Sequence, residues 1–276
     1  MNDLEWDGYI NARDLGGLPT PLSSMGVTAS GRIARGPRRE RLTAAGWDAA
    51  RAWGLASIVD LRCAYETGAG DGDLVVPPES LSGITIVNAP TEDQDDPEFM
   101  EVCVPILDSP EYWAHNWRLQ PELVCDDALE AIASAQPGTL VHCSAGRDRT
   151  GMISALLLGN AGVDPAAVAA DYAASVHAMA AVAQLAPGVE PQTVRSRKKV
   201  DQWMLDKLPI VRESAANIPP SSSMGSRFAE RHRAQKSPTR ADFLRRRLSA
   251  SRKLGVEPEC YLAPRQSGMW QPAART

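Results

Sequence analysis

The sequence predicts an α/β fold, and three observations carry that expectation. A helical pattern, "LTAAGWDAARAWG", runs straight into the short apolar run "LASIVDLR". A second apolar run, "GTLVHC", passes through a turn into "TGMISALLLGNAG", a helical pattern that is apolar on most sides. A helix of that kind belongs in the interior against a sheet, so helices and strands alternate along the chain and pack as layers.

The elements follow in order. After "NARDLGG", a turn-rich segment runs through "GVTASGRIARGPRRERLT". The first helix has Thr43 as its N-cap and Gly54 as its stop. The β-branched Ile58 and Val59 favour a buried strand after it. "GITIVNAP" (83–90) is a second strand, followed by the acidic "TEDQDD", and "GTLVHC" (138–143) is a third. Between them, "PELVCDDALEAIASAQ" has apolar positions near helical spacing. "DPAAVAADYAASVHAMAAVAQLA" is an alanine-rich helix or pair of helices, opened by an Asp164 cap and Pro165 in the first turn. Beyond residue 216, Pro, Ser, Gly and Arg dominate. A flexible connection is expected over 217–226, with a short basic helix around "RADFLRRRLSASRKLG". The division expected is a main α/β domain over 1–216 and a basic, partly flexible region over 217–276.

Composition excludes several classes. A chain of 276 residues with 43% hydrophobic content buries a substantial core, which argues against disorder or a fibre. No run approaches the roughly 18 to 20 apolar residues of a membrane span, and the N-terminus lacks the pattern of a secretory signal, so a cytoplasmic location is expected. The five cysteines (63, 103, 125, 143 and 260) include no CxxC pair, and none stands at metal-finger spacing from a histidine. That pattern fits a reducing compartment, with no metal. The net charge of −5 divides into about −13 over 1–224 and about +8 over 225–276. Aromatic residues are not interleaved with the basic ones, so the tail reads as a solvated end and no nucleic-acid partner is expected.

The turn after "GTLVHC" reads C-S-A-G-R-D-R-T-G. A loop entering a helix N-terminus gathers backbone N–H groups and the positive end of the helix dipole, which together bind an anion. Gly146 and Gly151 let the backbone approach that anion closely. The same field stabilises the thiolate of Cys143 as a nucleophile, and Arg149 offers a planar fork for two phosphoryl oxygens. The C-x5-R spacing therefore points to attack of Cys143 on phosphorus, a phosphocysteine intermediate released by water, and Thr150 as a donor to the departing sulfur.

These residues resemble the HCxxGxxR(S/T) signature of cysteine-dependent phosphatases. More closely, "HCSAGRDRTG" resembles the loop of the bacterial atypical tyrosine and lipid phosphatases. "NARDLGG", "IVDLRCAYE" and "VAADYAAS" resemble other segments of that family, so the resemblance spans about residues 8–178. It implies a mainly parallel central sheet flanked by helices; with a helical lid and the C-terminal helical and basic region read from the residues, that is the architecture expected. It further implies activity on phosphotyrosine, sometimes phosphoserine or phosphothreonine, and on phosphoinositides, without metal or cofactor; the residues themselves leave phosphotyrosyl protein, phosphoinositide and small phosphate ester open as substrates. Carried over by position, Cys143 is the nucleophile, Arg149 the phosphate clamp, and Ser144, Ala145, Gly146 and Arg147 the backbone cradle. Arg147 stands where the family usually has lysine. The C-terminal region lacks the family's Tyr-Gly-Ser-like turn, and its Tyr261–Leu262 pair is the sole match to a later motif.

A leaving phenolate or alkoxide needs a proton, which a carboxylic acid near the phosphate supplies. Asp93, matched by the resemblance, Asp148 within the loop, and Asp108 or Glu111 in "ILDSPEYW" are the candidates. Asp60 with Arg62, and Arg13 with Asp14, are expected to form ion pairs walling the loop. Tyr112, Trp113 and Trp117 are either a lid that stacks on substrate or a core-facing stripe. Two other classes remain beside the phosphatase reading: rhodanese-type sulfur transfer, whose loop is one residue shorter, and a catalytically weak phosphate-binding module. Oligomeric state leaves no signal in the sequence.

Overall fold

The computed structural model describes residues 2–70, 73–185 and 196–217. Six strands form one sheet: β1 (Asn2–Asp3), β2 (Arg13–Asp14), β3 (Ile33–Gly36), β4 (Ser57–Asp60), β5 (Thr85–Asn88) and β6 (Thr139–His142). Their spatial order is β1-β2-β3-β6-β4-β5. The β1–β2 and β2–β3 pairs are antiparallel, while β3, β6, β4 and β5 run parallel. The register sets Gly36 and Asp60 on either side of His142. Three strands thus end together, and the turn after β6 opens at their common carboxyl edge, where sites of parallel sheets form.

Strand alternation divides the core. Ala34, Ile58 and Leu140 face α1 (Ala44–Trp53), packing with Trp47 and Ala50, whereas Ile33, Val59 and Val141 face the opposite cluster. That second face is covered by α3 (Tyr112–Leu119), α4 (Leu129–Ser134), α5 (Asp148–Asn160), α6 (Pro165–Leu185) and α7 (Arg197–Ala216); α2 (Pro97–Val102) precedes them in the chain. Helix α5 is buried along every residue from Thr150 to Asn160, as its all-round apolarity requires. None of the helices among the described residues is long and apolar enough to cross a membrane.

The first helix is capped as expected: the Thr43 side chain accepts from the Gly46 amide, and Gly54 takes φ +106°. At the start of α6, the Asp164 carboxylate accepts from the Ala166 amide at 2.7 Å. Other expectations need correction. The segment read as turn-rich contains β3, four residues buried between neighbours. "PELVCDDALEAIASAQ" opens as a wide π-helical stretch, Glu122–Ala128, before α4. The sequence reading holds no helix over α7; its Val200, Met204, Val211 and Ala215, spaced by four, seven and four residues, fall on one face and are buried. Tyr112 and Trp113 are fully buried, with Trp113 edge-on to Tyr172 at 5.2 Å, so this aromatic stripe faces the core. The basic helix expected after residue 226, the Tyr261–Leu262 pair and Cys260 lie outside the described residues.

Candidate active site

The loop Cys143–Arg147 joins β6 to α5, and its carbonyls are held from outside. The Arg38 amide donates to the Ser144 carbonyl at 2.9 Å. Asn11 Nδ2 donates to the carbonyls of Ala145 (3.3 Å) and Gly146 (3.1 Å), and Arg35 Nη2 also donates to Gly146. In a trans peptide the C=O and the following N–H point opposite ways, so these restraints turn the amides of Ala145, Gly146 and Arg147 toward the concave side. Gly146 has φ +69°, and a Cβ there would stand 2.4 Å from the Gly36 carbonyl carbon and oxygen. The close approach of β3 to the loop therefore requires glycine.

A buried ionic scaffold fixes those restraints. Asp171 on α6 accepts from Arg13 Nε at 2.8 Å and from Arg35 Nη1, and Arg13 Nη1 donates to Asn11 Oδ1 at 2.6 Å. Burial pushes the Asp171 carboxyl up, but the two guanidinium charges outweigh it and hold the group below its ordinary value. The expected Arg13–Asp14 pair does not form, because adjacent strand residues point to opposite faces. Asp14 instead accepts from the amides of Gly16 and Gly31 and from Trp53 Nε1. Asp60 and Arg62, two residues apart on one side, do pair at 2.7 Å, and Glu40 accepts from the same guanidinium at 2.9 Å. Buried beside them, His142 Nδ1 lies 3.0 Å from the Cys143 carbonyl. Burial drives the His142 pKa down against the pull of Asp60, so the neutral ring donates to that carbonyl.

Cys143 is buried at the end of β6. Arg149, in the first turn of α5, directs Nη1 and Nη2 at the two oxygens of Glu66, the second at 2.8 Å. Three of its five N–H donors remain for another anion. Burial opposes the Arg149 charge, but Glu66 and Glu92 overcome it and raise its pKa, so it stays a cation. Glu92 Oε2 lies 3.8 Å from the same Nη1. The two carboxyls diverge. Burial lifts Glu66, yet the bonds and charge of Arg149 bring it below its ordinary value. Burial lifts Glu92 as well, and there Arg149 opposes the rise without reversing it.

The remaining sequence-derived candidates are placed as follows. Arg147 is buried, with Nε 2.9 Å from Asp148 Oδ2, and the Tyr172 hydroxyl donates to Asp148 at 3.1 Å. Asp108 acts electrostatically on both Arg147 and Tyr172. Asp93 is exposed; its carboxylate accepts from the Asp95 amide at 3.0 Å, and its backbone is pinned by Gln120. Glu111 pairs with Lys207 at 2.9 Å. Thr150 Oγ1 is buried with no protein partner. Burial together with Glu66 and Glu92 pushes Cys63 up to about 11, and burial with Glu92 does the same to Cys103, so neither competes as a thiolate near neutral pH. Sequence reasoning gave no individual role to Asn11, Arg35, Glu66, Glu92 or Asp171; the quoted segments contained all five, but not what each touches.

A ring of inward amides at a helix N-terminus, joined by a thiol and a fixed guanidinium, suits a tetrahedral dianion. A family model described as the tyrosine phosphatase family matches residues 4–218. A curated relative from Nostoc commune, named tyrosine-protein phosphatase, is 35% identical over 138 residues, which are 50% of this chain and 46% of its own length. The match therefore spans about half of that relative.

Proposed function

Because the chain belongs to the tyrosine phosphatase family, we propose that it hydrolyses phosphomonoesters, phosphotyrosyl proteins foremost, through a phosphocysteine on Cys143. The observation that carries this reading is the loop itself: carbonyls tied outward at Ser144, Ala145 and Gly146, amides turned inward, and Arg149 held at the head of α5. The reading takes residues 1–216 as the phosphatase domain and 217–276 as an appended basic region.

The Cys143 thiolate attacks phosphorus, the S–P bond forms and the ester P–O bond breaks. Amides of the loop and the free N–H groups of Arg149 bind the three equatorial oxygens, whose charge is greatest in the transition state. Glu66 keeps the guanidinium oriented, and neutral His142 holds the Cys143 carbonyl away from the substrate. Water then attacks the phosphocysteine, breaking S–P and releasing phosphate. The Thr150 hydroxyl donates to the departing sulfur, a role supported by its lack of a protein partner in the first turn of α5.

Hydrolysis of p-nitrophenyl phosphate with chelator present tests the reading. Turnover by the intact protein that disappears in C143S is expected. Absence of turnover from folded wild-type protein, or undiminished turnover by C143S, would overturn it.

A further inference from the structure

The proton for the leaving group is the step that the loop does not supply, and the environment of Arg149 bears on it. Two carboxyl groups share this one cation unequally. Glu66 occupies both terminal nitrogens, whereas Glu92 stands 3.8 Å from Nη1, beyond hydrogen-bond reach, and its Oε2 is met by Gln94 Nε2 at 3.4 Å. The Glu92 side chain is only 4% exposed. Around it are Arg149 and Asp148 from α5, Glu66 and Cys63 from the 63–67 turn, Cys103 after α2 and Tyr112 from α3; Arg149 is the cation in this set. Arg149, which holds Glu92 at 3.8 Å, also lies within electrostatic range of Cys143, as does the buried Tyr112.

Charge balance decides which carboxyl keeps a proton. A bound phosphomonoester brings two negative charges to a thiolate and an ionised Glu66, with Arg149 between them. A second ionised carboxylate, buried and met only by the Gln94 amide at 3.4 Å and by the already shared Arg149 at 3.8 Å, would be repelled by all three. Paired titratable groups driven apart in this way commonly mark the acid and its ionised companion.

We propose that Glu92 is the general acid of the reaction, a role that rests on the phosphocysteine reading above. In the first step the ester oxygen leaves phosphorus and takes the proton of the Glu92 carboxyl, which becomes a carboxylate. In the second, that carboxylate removes a proton from the attacking water, the O–P bond forms, the S–P bond breaks, and phosphate departs with Cys143 again a thiolate and Glu92 again protonated. Asp93, one residue on, has its carboxylate committed to the Asp95 amide on the exposed side of the loop.

The experiment compares kcat/KM against pH for wild type, E92Q, D93N and C143S, on p-nitrophenyl phosphate and on phenyl phosphate, whose leaving group is far more basic. Activity that needs a protonated Glu92 falls as pH rises through its pKa, giving an alkaline limb. E92Q is expected to lose that limb and about 10²-fold or more on phenyl phosphate, with a much smaller loss on p-nitrophenyl phosphate. D93N is expected to retain the limb. An E92Q profile with the alkaline limb intact, or its loss in D93N, overturns the assignment while C143S inactivity leaves the phosphocysteine reading standing. No turnover by folded wild type overturns both. If E92Q fails to fold, E92D decides: a displaced limb supports the role of Glu92, and an undisplaced one overturns it.

Discussion

Replacing Asp171 with asparagine removes one negative charge from a site more than twenty residues from the Cys143–Arg147 loop, and the structure makes that change costly. The carboxylate is met by Arg13 Nε at 2.8 Å and by Arg35 Nη1, with the arginine side chains 3% and 0% exposed. In D171N one oxygen still accepts, but the amide nitrogen faces a guanidinium donor and two buried cations lose their counter-charge. Breaking a buried pair from one side costs about 3–5 kcal/mol, and for a fold of this size each kcal/mol lowers Tm by roughly 2–4 °C. A fall in Tm of about 6–20 °C is therefore expected in calorimetry at neutral pH. Arg35 and the Arg13–Asn11 pair also hold the Gly146 carbonyl, so kcat/KM should fall by about tenfold or more in the protein that remains folded. S175A, which removes one acceptor of Arg13, serves as the mild comparison at about 1 kcal/mol. A Tm change in D171N no larger than that of S175A would refute the scaffold argument.

Three further outcomes are expected. G146A forces φ +69° on a residue with a Cβ and drives that atom to 2.4 Å from Gly36, so a loss of about 2–3 kcal/mol in denaturant unfolding and of about 10²-fold in turnover should appear together. Burial lifts Asp60, but the hydrogen bonds and charge of Arg62 bring it down to about 2; its stabilising contribution is thus complete above its unfolded value near 4 and lost as pH falls toward 2. Acid titration followed by circular dichroism should show D60N less stable at neutral pH yet flatter across that window. W113A empties a fully buried site and should cost about 3–5 kcal/mol in stability, whereas a substrate-stacking lid residue would raise KM at unchanged Tm.

Much of this protein was legible from local sequence because local physics carried it. Thr43 and Gly54 bounded α1, the apolar run of α5 demanded burial, and the C-x5-R spacing placed the thiol and guanidinium on one loop. Strand β3 is not legible because its two arginine-flanked apolar residues, Ile33 and Ala34, show no alternation long enough to read, and its Arg35 is buried against distant partners, Asp171 and the Gly146 carbonyl. Helix α7 did carry a readable signal, the recurrence of Val200, Met204, Val211 and Ala215, masked by the charged residues between them.

The sequence by itself determined the family, the C-x5-R spacing of Cys143 and Arg149, and the alternation of helix and strand, since each is written in contiguous residues at fixed spacing. Only the tertiary structure decided how charges pair. Arg13 turns from Asp14 toward Asp171, 158 positions away, and Arg149 takes Glu66 while leaving Glu92 buried beside it. The energy of a charge depends on what burial places within a few ångströms, and chain order does not encode that distance.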